Sequence, residues 1–127
     1  VSLEELKERA DILSLHVPLT DLTHYMINDA FIASMKRDFY FVNTARGKNL
    51  ETKSLVKALK SGKIKAAALD VLEYEKSSFE NLEINNSDLD YLLNSQQVIV
   101  TPHIAGWSHQ SKIKLAQFIV DKILKSF

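Results

Sequence analysis

Four short apolar runs recur along the chain: Ile12-Leu13-Ser14-Leu15, Phe39-Tyr40-Phe41-Val42, Ala66-Ala67-Ala68-Leu69 and Val98-Ile99-Val100. Segments of helical periodicity separate them. This alternation constrains the fold more than any other feature. Runs with so little polar interruption suit strands covered by other layers, and strands separated by helices pair in parallel through crossovers. The expected class is α/β, a doubly wound parallel sheet with helices on both faces.

The intervening segments carry their own start and stop signals. Leu3, Leu6 and Ala10 have helical spacing, with Ser2 as cap and Glu5 completing a capping box. Asn28 precedes a short helix bearing Ala30, Phe31, Ile32 and Met35. A third helix is expected over 52–60, with Leu55, Val56 and Leu59 on one face and Gly62 just past its end. The stretch 76–94 is polar and reads as a long loop with a short helix over 88–93. From Ser108 onward, Ile113, Leu115, Ala116, Ile119, Val120, Ile123 and Leu124 mark a long amphipathic helix.

Composition narrows the function classes. A length of 127 residues and a hydrophobic content of 46% fit one domain with an ordinary core. Sixteen basic residues balance sixteen acidic ones without a like-charge block, so no nucleic-acid partner is expected. No apolar run approaches the ~18–20 residues of a membrane span, and the acidic, amphipathic start is not a secretory signal. The absence of cysteine excludes disulfides and thiolate metal sites and fits a cytoplasmic protein. The four histidines, His16, His24, His103 and His109, form no HxH or HxxxH pair, so no metal site is expected. The chain begins with Val1 inside a helical pattern, which reads as part of a longer polypeptide.

In an open α/β sheet, ligands bind beyond the carboxyl ends of the strands. Each run here ends in chemically pointed residues: His16-Val17-Pro18-Leu19-Thr20, then Asn43-Thr44-Ala45-Arg46-Gly47, then Asp70 with Glu73 and Glu75, then Thr101-Pro102-His103-Ile104-Ala105-Gly106. An arginine, several carboxylates and a histidine should therefore share one rim. Singly, each has an ordinary reading. Arg46 would be a loop cation, Asp70 a turn cap, Glu75 part of a solvated face, His16 a satisfied core histidine, and His24 and His109 surface groups. The functional reading rests on all four ends coinciding.

These blocks, with Val42-Asn43-Thr44-Ala45-Arg46-Gly47 and Ala68-Leu69-Asp70-Val71 among them, resemble the signatures of the D-isomer-specific 2-hydroxyacid dehydrogenase family in order and spacing. The phosphoglycerate and D-lactate dehydrogenase branches are the nearest. The resemblance implies the C-terminal part of a Rossmann-like NAD-binding domain, occupying residues 1–127. It implies hydride transfer between NAD(H) and a small 2-hydroxy/2-keto acid, such as phosphoglycerate or D-lactate. By position, Arg46 would bind the substrate carboxylate, His103 would be the acid–base, and Glu75 would orient the imidazole. The family places that glutamate five positions after the strand-end aspartate, which selects Glu75 over Glu73. Where the family usually has a proline after this acidic stretch, Lys76 follows instead. The implied cofactor contacts are His16, Val17, Pro18, Thr44, Ala45, Arg46, Asp70, His103, Ala105 and Gly106, with Asp70 facing the nicotinamide carboxamide and Thr23 near the phosphates. A homodimer is expected. A non-catalytic, nucleotide-sensing regulator on the same fold, or an inactive remnant, is the alternative.

One element of that picture is missing. The chain has three glycines, Gly47, Gly62 and Gly106, and no GxGxxG. The pyrophosphate loop and the acidic residue that distinguishes NAD from NADP are therefore expected outside this chain, as is the substrate domain. The first strand should be left as a bare sheet edge that pairs with a second copy or another neighbour.

Overall fold

A computed structural model describes residues 1–74 and 87–126. Strands β1 (Ile12–Leu15), β2 (Phe39–Asn43), β3 (Ile64–Leu69) and β4 (Val98–Val100) pair in parallel in the order β1-β2-β3-β4. Around them run α1 (Leu3–Arg9), α2 (Asp29–Ser34), α3 (Thr52–Ser61), α4 (Ser87–Asn94) and α5 (His109–Leu124).

The helix boundaries follow local chemistry. Ser2 Oγ accepts from the Glu5 N–H at 3.1 Å, and Asn28 Oδ1 accepts from the Phe31 N–H at 3.0 Å. Ser108 caps α5 through the Ser111 N–H. Helix α2 stops at Ser34, one residue before Met35, which turns extended and buries its side chain from the cap position. Gly62 closes α3 in the left-handed region at φ +79°, where a side chain would be strained. The 88–93 helix is slightly longer than its sequence pattern, at 87–94.

Register sorts the strand residues into two faces. Leu13, Phe41, Ala67 and Val98 align in one row, and Leu15, Asn43, Leu69 and Val100 in another. That face joins the core with Ile32, Leu55, Leu59, Leu89 and Leu92 of α2, α3 and α4. The opposite rows are Ile12, Tyr40 and Ala66, then Ser14, Val42, Ala68 and Ile99. Here Ile12 is 65% exposed and Ile99 is 67% exposed. No residue of α5 is buried. The parallel α/β fold is thus as read, but among the described residues helices cover one face, not both. The cause is topological. Each step from β1 to β4 moves the same way across the sheet, and right-handed crossovers in one direction all fall on the same side. A covering for the second face needs strands wound outward from β1 in the other direction, and β1 is an edge of the sheet.

Candidate active site

The carboxyl ends of the four strands form a continuous rim. The ladder continues past the strands themselves: the Asp70 N–H donates to the Asn43 carbonyl and the Thr101 N–H to the Leu69 carbonyl, both at 2.9 Å. The segments after β2, β3 and β4 are therefore neighbours by backbone bonding alone.

After β2 the chain makes a tight turn that carries Arg46. Asn43, fully buried, grips it from below: its Oδ1 accepts from the Ala45 N–H and its Nδ2 donates to the Arg46 carbonyl, both at 3.1 Å. A single turn of 3-10 helix, Gly47–Asn49, follows. Arg46 itself is exposed, and its Nη1 donates to the Ala45 carbonyl at 2.6 Å. Gly47 is required by packing, because a Cβ there would lie 1.9 Å from the Leu72 carbonyl oxygen. The turn thus rests directly on the backbone that leaves β3.

After β4, His103 stands half-buried at φ +55°, a conformation few side-chain-bearing residues adopt. Asp70 holds it there. Its Oδ1 accepts from the Thr101 hydroxyl at 2.6 Å and the Ile104 N–H at 2.9 Å, and its Oδ2 from the Ala105 N–H at 2.9 Å. Burial alone would raise the Asp70 pKa. The Thr101 hydroxyl, the Ala105 and Ile104 N–H groups and the nearby His103 outweigh it and hold the carboxyl below its ordinary value. Asp70 is therefore ionised and committed to the loop that presents His103.

The other expected contacts divide. Val17 and Thr44 are half-buried at the rim, Ala45 is buried, and His16, Pro18, Ala105 and Gly106 are exposed there. His16 Nε2 lies 2.8 Å from Ser14 Oγ. Thr23 is engaged locally, its hydroxyl donating to the Pro18 carbonyl at 2.6 Å. Glu75 lies outside the described residues. Glu73 has its own partners: Oε1 accepts from the Tyr25 hydroxyl at 2.6 Å and Oε2 from the Thr52 N–H at 2.8 Å. Sequence reasoning missed Asn43, Asn49 and Tyr25 as parts of this frame. Asn43 alone left a signal, an asparagine at the entry to a turn.

The rim fits one end of a dinucleotide and not the other. A permanent cation, an imidazole and small or apolar neighbours at strand ends suit a nicotinamide with its substrate. Gly47 packs on Leu72 and Gly62 ends α3, so neither is placed for close approach to a pyrophosphate, and Gly106 is a single glycine, not a glycine-rich turn. Among the described residues no cluster of His, Cys, Asp and Glu could hold a metal ion.

The model of the D-isomer specific 2-hydroxyacid dehydrogenase NAD binding domain matches residues 1–105. This chain belongs to that family. It is 40% identical over 124 residues to a glyoxylate reductase of Korarchaeum cryptofilum, covering 98% of this chain and 35% of the relative. It superposes on the NAD-complexed D-isomer specific 2-hydroxyacid dehydrogenase of Lactobacillus delbrueckii ssp. bulgaricus with a TM-score of 0.78 at 32% identity, covering 99% of this chain and 40% of that one. On D-lactate dehydrogenase from Aquifex aeolicus, complexed with NAD and lactic acid, the TM-score is 0.76 at 38% identity, covering 100% of this chain and 40% of that one. The chain therefore spans little more than a third of the length of these relatives.

Proposed function

We propose that the protein containing this chain is an NAD-dependent oxidoreductase acting on a small 2-hydroxy/2-keto acid, with Arg46 and His103 as catalytic residues. The observation that carries this reading is the His103 loop. A buried carboxylate, Asp70, engages both of its oxygens to hold one histidine in a left-handed conformation, on the same rim as the Arg46 turn.

Bound nicotinamide supplies or accepts the hydride at C2. Arg46 presents a planar, permanently charged fork that takes the substrate carboxylate and draws electron density from the C2 carbonyl. His103 gives a proton to the C2 oxygen during reduction and takes it back during oxidation. Glu75 is proposed to orient that imidazole. The engagement of Glu73 with Tyr25 and Thr52 supports giving the role to Glu75. Val17, Pro18, Thr44 and Ala45 would line the nicotinamide. The cofactor is proposed as NAD, in keeping with the family's description and the NAD-complexed relatives. Among the described residues no helix is long and apolar enough to cross a membrane. A cytoplasmic homodimer is proposed, supported by the lack of cysteine and by the open sheet face.

The test is NADH oxidation by the full-length protein against pyruvate, glyoxylate and phenylpyruvate. Turnover is expected with at least one of them. Arg46→Gln and His103→Gln should each lower kcat/KM by about 100-fold or more. NADH binding without turnover of any 2-keto acid would overturn the catalytic reading in favour of a nucleotide-sensing role.

A further inference from the structure

We propose that the hydrogen bond from the Tyr25 hydroxyl to Glu73 is a latch that fixes the Arg46 turn, which makes Tyr25 and Glu73 positioning residues for carboxylate binding. The inference rests on the role proposed above for Arg46.

The turn that carries Arg46 has three supports. Asn43 holds it from the sheet side. The segment before α2 holds its far side: the Tyr25 N–H donates to the Lys48 carbonyl at 2.8 Å, the Ile27 N–H to the Asn49 carbonyl at 3.0 Å, and Asn49 Nδ2 to the Thr23 carbonyl at 3.1 Å. The backbone at Leu72 and Glu73 abuts Gly47 on the third side. Tyr25 and Glu73 are 48 residues apart, and their hydrogen bond at 2.6 Å joins the second support to the third. The Glu73 carboxylate is itself anchored, because Oε2 accepts the Thr52 N–H at the start of α3. The turn is thus enclosed by a ring of contacts that the Tyr25 hydroxyl closes.

Two further observations fit a device rather than an accident. Tyr25 sits at φ +49°, a conformation unfavourable for an aromatic residue, which the surroundings must hold in place. Its ring lies against His24, with centroids 4.0 Å apart. The hydroxyl's pKa is pushed up to about 12, first by the hydrogen bond to Glu73 and then by burial. It therefore stays a donor across the working pH range.

The test is Tyr25→Phe in the full-length protein, read with oxamate, a 2-keto acid mimic whose carboxylate should engage Arg46. The inhibition constant for oxamate and the KM for the 2-keto acid should rise about 3–10-fold, as expected for one hydrogen bond, while kcat and the KM for NADH stay within about twofold. Amide hydrogen exchange at Asn49 and Leu50 should accelerate, with that of Leu59 in α3 unchanged. Glu73→Gln keeps an acceptor for only one of its two partners. It should shift the same readouts in the same direction and serves if Tyr25→Phe does not fold. Unchanged exchange at Asn49 and Leu50 overturns the latch. Faster exchange with unchanged oxamate inhibition overturns the positioning role, as does equal weakening of oxamate and NADH. If oxamate does not bind the unsubstituted protein, the reading of Arg46 fails and the positioning role with it, while the exchange data still report whether the ring exists.

Discussion

A methyl group added at position 47 would lie 1.9 Å from the Leu72 carbonyl oxygen, whereas one added at position 106 would meet nothing within 4 Å. Asn43 grips the turn on the Gly47 side, and the Leu72 side follows Asp70, whose N–H is bonded into the sheet, so neither withdraws cheaply. Gly47→Ala should therefore cost more than about 2 kcal/mol, against less than about 0.5 kcal/mol for Gly106→Ala. Urea denaturation of both variants measures this, and equal costs would refute the packing argument. Asp70 gives a second expectation at this scale. Its folded pKa lies below the ordinary value of 3.8, so the unfolded chain binds more protons as pH falls toward and below that value. The stabilisation from Asp70 is complete above the unfolded pKa and is lost as pH drops through the folded one. Asp70→Asn should cost about 1.5–3 kcal/mol at neutral pH, the range for hydrogen bonds to a charged group. Its deficit should narrow below about pH 4, where the carboxylate becomes protonated. A deficit that stays constant down to pH 3 would show that the charge is not what holds the loop.

Neighbouring residues of one strand test the two faces of the sheet. Phe41 is 1% exposed and packs with the helices, while Tyr40 is 48% exposed on the open face. Phe41→Ala should cost about 3–5 kcal/mol, and Tyr40→Ala below about 1 kcal/mol. Comparable losses would mean that the open face is covered. At this scale the sequence was informative where the determinants are local. The caps Ser2 and Asn28, Gly62 just past the end of α3 and the four strands all depend on residues within a few positions, and each is where the pattern put it. Met35 misled because a buried apolar residue at helical spacing can equally bury itself from the cap. The one-sided covering was hidden because Ile12, Tyr40 and Ile99 look like core residues in a sequence, and winding direction is a property of strand order. The rim followed from fold class, so Arg46, Asp70 and His103 could be placed at strand ends. What Asp70 grips could not, since its partners Ile104 and Ala105 lie 34 and 35 residues away. The Tyr25–Glu73 bond spans 48 residues and left no local trace.

For the whole molecule, the sheet has one open face, and on the function proposed above its rim holds part of a cofactor site. Ile12 and Ile99 on the open face and Ile113, Phe118, Ile119 and Leu124 of α5 are large apolar side chains left exposed, the kind of surface that marks an interaction site. The 127-residue chain on its own should therefore self-associate, and Ile12→Lys with Ile99→Lys should reduce its sedimentation coefficient toward that of a monomer. A strictly monomeric unsubstituted chain at high concentration would count against this. Cofactor affinity follows from the same incompleteness. Backbone N–H groups and a helix N-terminus bind the pyrophosphate of a dinucleotide, and the turn that presents them needs several glycines together. Gly47 is pressed against Leu72, Gly62 closes α3, and Gly106 stands alone at the end of the His103 loop. The rim can therefore offer the nicotinamide end only one wall. The isolated chain should bind NADH more weakly than about 1 mM, an affinity near 4 kcal/mol, even with Arg46 and His103 intact. Fluorescence titration with NADH measures this directly. Saturable micromolar binding would show that the strand-end rim supplies the affinity without a phosphate cradle, and the division of the site into a nicotinamide half and a pyrophosphate half would have to be abandoned.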